Sequence, residues 1–358
     1  MKKLRQEFNS IIVILSSNFV QRGEPALIDK FYRAEMAVKA GADLVIELPF
    51  IFSCGAAQDF ALGAIHLLGK TKFADYVAFG MENPEYNFSP IIETLLNEPP
   101  EYKNFLRMKL NEGFSFSRAN SLALENLFTG AAEFITKPNN LLAISYVLNL
   151  KKYNYNLKIY PVKRENDFIK SSLIRKNLHE NLTMLPDFSK KIIANAALNH
   201  RLCNNFSKNL WLILKNILMR SSCDELKKIY AIDEGLENLF LKNWKLSENL
   251  DEFLNRCTSS RYTKAHLNRR IIYVLLNLNR YFAEGLKRSG INYARVLAFN
   301  QNGREILKNL SKNSDIPIIT SLAKIKYANF EFKVSELYEI LTGSNDFNRE
   351  VQSVLKFS

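Results

Sequence analysis

The protein has 358 residues, 47% of them hydrophobic and 24% charged, which fits an ordinary globular chain of one large or two smaller domains. No apolar run approaches the roughly 18 residues that a membrane helix needs. The 49 Lys and Arg exceed the 36 Asp and Glu by 13, an excess that favours a polyanionic partner through counterion release. Gln6, Glu7 and Asn9 follow the basic opening, and the apolar run Ile11–Leu15 is too short for a secretory leader. Cys54, Cys203, Cys223 and Cys257 lie far apart, as do His66, His179, His200 and His266, so no zinc site and no disulfide framework is expected. A cytoplasmic location without membrane association follows from these features.

The first half alternates two periodicities. Ile11–Ser16, Asp43–Leu48 and Asp75–Phe79 are short apolar runs rich in β-branched residues, each ending in a turn signal, as buried parallel strands do. Between them Ala26–Ala40 and Ala56–Leu68 carry helical spacing, the first closed by Gly41. Helices are expected over 89–128 and 139–151, followed by a strand at Lys158–Val162. The pattern predicts an α/β, doubly wound, mainly parallel sheet. From about Asp187 to Phe282 helical periodicity dominates. A mixed tail follows, with strands at Arg295–Phe299 and Ile316–Thr320 around a helix at Gly303–Leu310. We place the division near 185: an α/β nucleotide-binding domain over 1–185, then a mainly helical, basic region over 186–358.

Ligands of such sheets bind at the carboxyl ends of the strands. After the first strand come Gln21, Arg22 and Gly23, where glycine permits close backbone approach and the arginine is either an anion clamp or a paired surface charge. Glu47 interrupts the second strand, and a carboxylate there is costly unless a cation pairs with it. Gly80 follows the third strand, where a nucleotide base or ribose could rest on bare backbone. Lys137-Pro138-Asn139-Asn140 reads as a helix start, with the asparagines either capping it or offered to a ligand. Arg164 follows the fourth strand. Ser172 and Arg175 open another helix, either an ordinary capped helix or a phosphate site. Further on, Arg261, Lys264, Arg269, Arg270 and Arg280 gather within 261–288, interleaved with Tyr262, Tyr273 and Tyr281. Such a tract either tracks a nucleic-acid backbone or is a solvated helix face with its rings turned inward.

The runs Ser17–Ala26 and Ala40–Pro49, together with Lys137–Asn140 and Arg261–Thr263, resemble the signatures of bacterial tRNA(Met) cytidine acetate ligases, in the nucleotidyltransferase-like superfamily. The similarity extends across nearly the whole chain. It implies ATP-dependent acetylation, through acetyl adenylate, of N4 of the wobble cytidine in the anticodon of elongator methionine tRNA. ATP with Mg2+ and acetate would be the small-molecule partners, with no stable protein partner. By the same resemblance Gly80, Asn139, Arg164, Ser172 and Arg175 are the ATP contacts, and Gln21–Gly23 belongs to an active-site loop. Lys170 departs from the family's usual serine.

The family opens with a strand and a His-x-Gly-His loop, and no such run occurs here. The resemblance therefore implies a chain truncated at its N-terminus, expected to form little acetyl adenylate as it stands. A catalytically inactive RNA- or nucleotide-binding protein of the same fold is the alternative. A small-metabolite adenylyltransferase is a third reading, disfavoured by the long basic second half.

Overall fold

A computed structural model of the protein describes residues 1–164, 178–203, 206–259, 261–325, 328–344, 346–351 and 354–357. The chain divides into two compact units. One comprises Met1–Ala56, His66–Phe73 and Ile169–Ser358, and the other Ala57–Ile65 and Ala74–Phe168. No helix among the described residues is long and apolar enough to cross a membrane.

The first unit is built on a mixed sheet. β1 (Ile12–Ser16) runs parallel to β4 (Leu44–Leu48), which lies beyond the two-residue strands β2 (Phe19–Val20) and β3 (Glu24–Pro25) of a small hairpin. Helix Lys30–Lys39 connects the hairpin to β4. Asp29 caps its start by accepting from the N–H groups of Phe31 and Tyr32. The helix stops at Ala40, and Gly41 turns the chain with φ of +107°. Its apolar face, Phe31, Ala34 and Val38, packs on Val45 of β4. Strand β4 is buried from end to end, as its continuous apolar run predicts.

The second unit holds the parallel pair β5 (Tyr76–Met81) and β6 (Lys158–Lys163), with five helices in sequence between them: Ser89–Asn97, Pro100–Asn111, Phe116–Leu127, Ala131–Thr136 and Pro138–Lys152. The β5 side chains alternate, with Val77, Phe79 and Met81 buried and Tyr76, Ala78 and Gly80 exposed.

The expected strands are present, but the tail joins the first of them. β7 (Ala294–Phe299) lies antiparallel beside β4, and the short strands β8 (Ile318–Ile319) and β9 (Leu355–Lys356) each pair with β7 in parallel. The boundary expected near 185 follows the change of periodicity along the sequence, whereas the contacts group residues otherwise because the tail returns to the sheet. Charge fixes this return. Glu47 and Arg295 are register partners on β4 and β7, and Arg295 Nη1 donates to Glu47 Oε2 at 3.0 Å. Lys30 Nζ reaches the other Glu47 oxygen at 2.7 Å, and Glu350 bridges the same two cations at 2.7 and 2.5 Å. All four side chains are at most 3% exposed. Glu47 is thus a paired structural carboxylate. A second buried cluster joins Arg201 to Asp29 and Glu339, at 3.0 and 2.9 Å.

Candidate functional site

Two groups of the expected residues come together, one in each unit. In the second unit, the parallel β5–β6 pair brings Gly80 and Arg164 side by side at its carboxyl end. Arg164 N–H donates to the Met81 carbonyl at 3.0 Å. A Cβ on Gly80 would stand 3.2 Å from Arg164 Cγ, so the bare backbone lies against the arginine stem. Both residues are exposed, and the Arg164 guanidinium has no carboxylate partner among the described residues.

Helix Pro138–Lys152 starts next to this pair. Pro138 at its first position supplies no N–H, and its N-cap Lys137 provides no side-chain cap. A carboxylate from the end of β5 takes that place: Glu82 Oε2 accepts from the Asn140 N–H at 3.0 Å, and Oε1 accepts from Asn139 Nδ2 at 2.6 Å. Asn140 is fully buried and clamps the strand end in return, its Oδ1 accepting from the N–H of Glu82 at 2.9 Å and of Asn83 at 3.3 Å. Asn139 is left half-buried with a free acceptor, since its Oδ1 makes no hydrogen bond among the described residues. The result is a rigid ledge that presents bare backbone, one amide oxygen and one guanidinium. That set suits a nucleotide, through ribose or base on the backbone and phosphate on the arginine. Ser172 and Arg175 lie outside the described residues.

Glu82, which holds the ledge together, was missed in the sequence, whereas Asn140 was read there as a cap or a ligand contact. The signal was a helix start with Pro and Lys where a capping side chain is usual, which calls for a cap from elsewhere in the fold.

In the first unit, the Gln21–Gly23 turn meets helix Lys264–Leu275. Gly23 has φ of +74°, and a Cβ there would fall 2.2 Å from Arg269 N and 2.6 Å from Asn268 C. Only glycine fits, because both the dihedral and the facing backbone reject a side chain. Arg269 Nη1 donates to the Gln21 carbonyl at 3.1 Å, so the turn is bolted to the helix from both directions. Arg22, between them, is exposed and unpaired among the described residues.

The basic tract is less uniform than its sequence suggests. Arg280 is held by Asp233 at 3.1 Å and by the Ile232 carbonyl, and Arg261 lies 3.6 Å from Glu234. Lys264 is exposed, while Arg269 and Arg270 are half-buried. Tyr262 and Tyr273 are not stacking rings on the surface: both are buried, their hydroxyls donating to the carbonyls of Glu234 and Cys54 at 3.0 and 2.7 Å. Their hydroxyls reach backbone acceptors while the rings fill the core, which the sequence spacing cannot distinguish from stacking. Tyr281 alone of the three is exposed, at 80%. Burial, then the charges of Arg270 and Arg269, push the His266 imidazolium down to about 4, so this histidine is neutral and adds no charge to the tract.

The model of the HIGH Nucleotidyl Transferase family matches residues 1–353. A tRNA(Met) cytidine acetate ligase of Clostridium perfringens (strain ATCC 13124) is 34% identical, over 96% of this chain and 90% of the relative. The ligase of the same name from Thermoanaerobacter sp. (strain X514) is 35% identical, over 88% of this chain and 82% of the relative. A crystal structure of Thermotoga maritima TmcAL bound with alpha-thio ATP is 27% identical with a TM-score of 0.89, covering 99% of this chain and 95% of that one. With these similarities spanning nearly the whole sequence, the chain belongs to the HIGH nucleotidyl transferases and, within them, to the tRNA(Met) cytidine acetate ligases.

Proposed function

We propose that this protein uses ATP to acetylate N4 of the wobble cytidine in elongator methionine tRNA, by way of acetyl adenylate. The observation that carries the reading is the ledge of Gly80, Asn139 and Arg164 at the carboxyl ends of β5 and β6, in a chain that belongs to this ligase family. Two steps are needed because acetate has no usable leaving group and the cytosine N4 lone pair is delocalised into the ring. An acetate oxygen attacks the α-phosphorus and pyrophosphate leaves. N4 then attacks the acetyl carbon, AMP departs, and N4 loses a proton. Adenylation supplies the leaving group, and binding both partners supplies the proximity that a weak nucleophile requires. The anticodon base must leave its stack to react.

Within this scheme Arg164 holds phosphate charge, Gly80 allows the nucleotide against the strand end, and Asn139 accepts from a nucleotide donor. Both Glu82 oxygens are occupied by the asparagines, so Mg2+ would enter on the phosphates of ATP. The basic helix Lys264–Leu275 and the Gln21–Gly23 turn serve the tRNA.

Calorimetric titration of ATP into Arg164→Ala tests the nucleotide assignment. Losing one charge-assisted contact costs on the order of 1.5–3 kcal/mol, so the affinity should fall roughly ten- to a hundredfold. An unchanged affinity would remove Arg164 from the site.

A further inference from the structure

Several arginines of the first unit pair with carboxylates. Arg201, Arg280 and Arg295 each pair with an acid, and Arg256 and Arg261 do so on the surface. Arg269 and Arg270 have none among the described residues, although neither is fully exposed. No carboxylate lies within 4 Å of either guanidinium among the described residues, although the two side chains are adjacent and half-buried. The Nε of each is enclosed and has no hydrogen-bond partner. Arg269 makes a single side-chain bond, to the Gln21 carbonyl, and no hydrogen bond joins the Arg270 guanidinium to another described residue. Asp233 acts on Arg270 only at longer range, being engaged by Arg280.

Two neighbouring like charges, half-buried and without a counter-ion, cost a fold stability. The fully paired Arg295 also has an enclosed Nε without a partner, so it is the missing counter-ion at Arg269 and Arg270 that points to an anion. The fold also spends a backbone constraint to add a third arginine. Gly23, seated against the backbone of Asn268 and Arg269, holds the turn so that the exposed, unpaired Arg22 is carried beside this helix. Planar guanidinium forks match phosphate oxygens in geometry as well as charge. Lys264 on the same helix is exposed, which extends the positive surface as a polynucleotide would need and a lone small anion would not.

We propose that Arg269 and Arg270, with Arg22 from the turn bolted to them, form a socket that grips one phosphodiester of the tRNA backbone. The proposal rests on the reading of the protein as a tRNA ligase and adds the point at which the RNA is fixed. The other phosphate source is the nucleotide, whose determinants we place on the ledge of the second unit.

The test measures binding of an elongator methionine tRNA transcript to the full chain, to Arg270→Met and to Arg22→Gln, across a series of salt concentrations. ATP titrations and thermal midpoints accompany each protein. Arg270→Met should weaken tRNA binding at least tenfold and lower the log–log salt slope by roughly 0.7–0.9. Its ATP affinity should match the parent, and its midpoint should equal or exceed the parent's, since a half-buried charge without a counter-ion has been removed. Arg22→Gln should reproduce the loss of slope with an unchanged midpoint, because its side chain is on the surface. Parental tRNA affinity in both variants would overturn the socket, as would a loss of ATP affinity in place of tRNA affinity. A parent that binds no tRNA at any salt would overturn the tRNA reading itself.

Discussion

Replacing Arg295 with methionine should lower the unfolding free energy by about 3–5 kcal/mol, the usual cost of removing one partner from a buried ion network. The expectation follows from how many groups this one side chain satisfies. Nη1 donates to Glu47 at 3.0 Å and to Glu350 at 2.5 Å, and Nη2 donates to the Glu350 carbonyl at 3.2 Å. Arg295 is 1% exposed, so no water replaces it. Without it, Lys30 alone faces two buried carboxylates, and β7 loses the contact that sets its register on β4. Arg295→Lys should recover only part of the loss, because an ammonium on a flexible stem cannot span both acids as a fork does. Urea denaturation of the parent and both variants measures this. A loss below about 1 kcal/mol for the methionine variant, typical of an exposed pair, would show that the network does not hold the sheet together.

The second large effect is a dependence of stability on pH. Glu331 lies fully enclosed near this network, with the Phe50 N–H donating to its Oε1 at 3.3 Å. Burial, followed by the negative charge of Glu47, pushes its carboxyl up to about 8, while Lys30 opposes them. The folded protein therefore keeps a proton there that the unfolded chain releases near 4.5. Its contribution to stability is complete below that value and is lost as pH rises toward 8. Glu350 behaves in the opposite sense. Burial alone would raise its carboxyl, but Lys30 and Arg295 hold it down to about 2, so its contribution is present above 4.5 and disappears in acid. Glu331→Gln removes the first dependence and keeps the second. Its stability relative to the parent should rise steadily between about pH 4.5 and 8 and then level off. The total change should be on the order of a few kcal/mol, because each pH unit across such a window is worth about 1.4 kcal/mol. Denaturation curves at several pH values check it. A constant difference between the two proteins would mean that Glu331 is already ionised in the folded state.

The same buried acids show how far the sequence could be read. Glu47 stood out because a carboxylate inside an apolar strand needs a cation, and that inference is met by Lys30 and Arg295. Which cation, and on which strand, was not legible: Arg295 lies 248 residues away, and antiparallel pairing of a late strand leaves no mark in local periodicity. Gly23 was recognisable as a point of close approach, yet nothing in its neighbours names Arg269 as the backbone it meets. At the ledge, strand-end logic named Gly80 and Arg164 as candidates, and the structure sets them side by side, with Gly80 inside β5 and not after it. Which of the two asparagines would be engaged by the fold was not legible from the sequence. Glu82 caps the helix, and Asn140 serves the strand. Tyrosine spacing in 261–288 was equally compatible with stacking and with burial, because a 3.6-residue period reports a face without saying what lies against it.

The central claim concerns one chemical group on one nucleotide, and it is tested most directly in the source organism. The gene is deleted, elongator methionine tRNA is purified, and its nucleosides and anticodon fragment are measured by mass spectrometry beside those of the parent strain. The account predicts that N4-acetylcytidine occupies the wobble position in the parent and is replaced there by unmodified cytidine in the deletion strain. Undiminished N4-acetylcytidine at that position after deletion would contradict it.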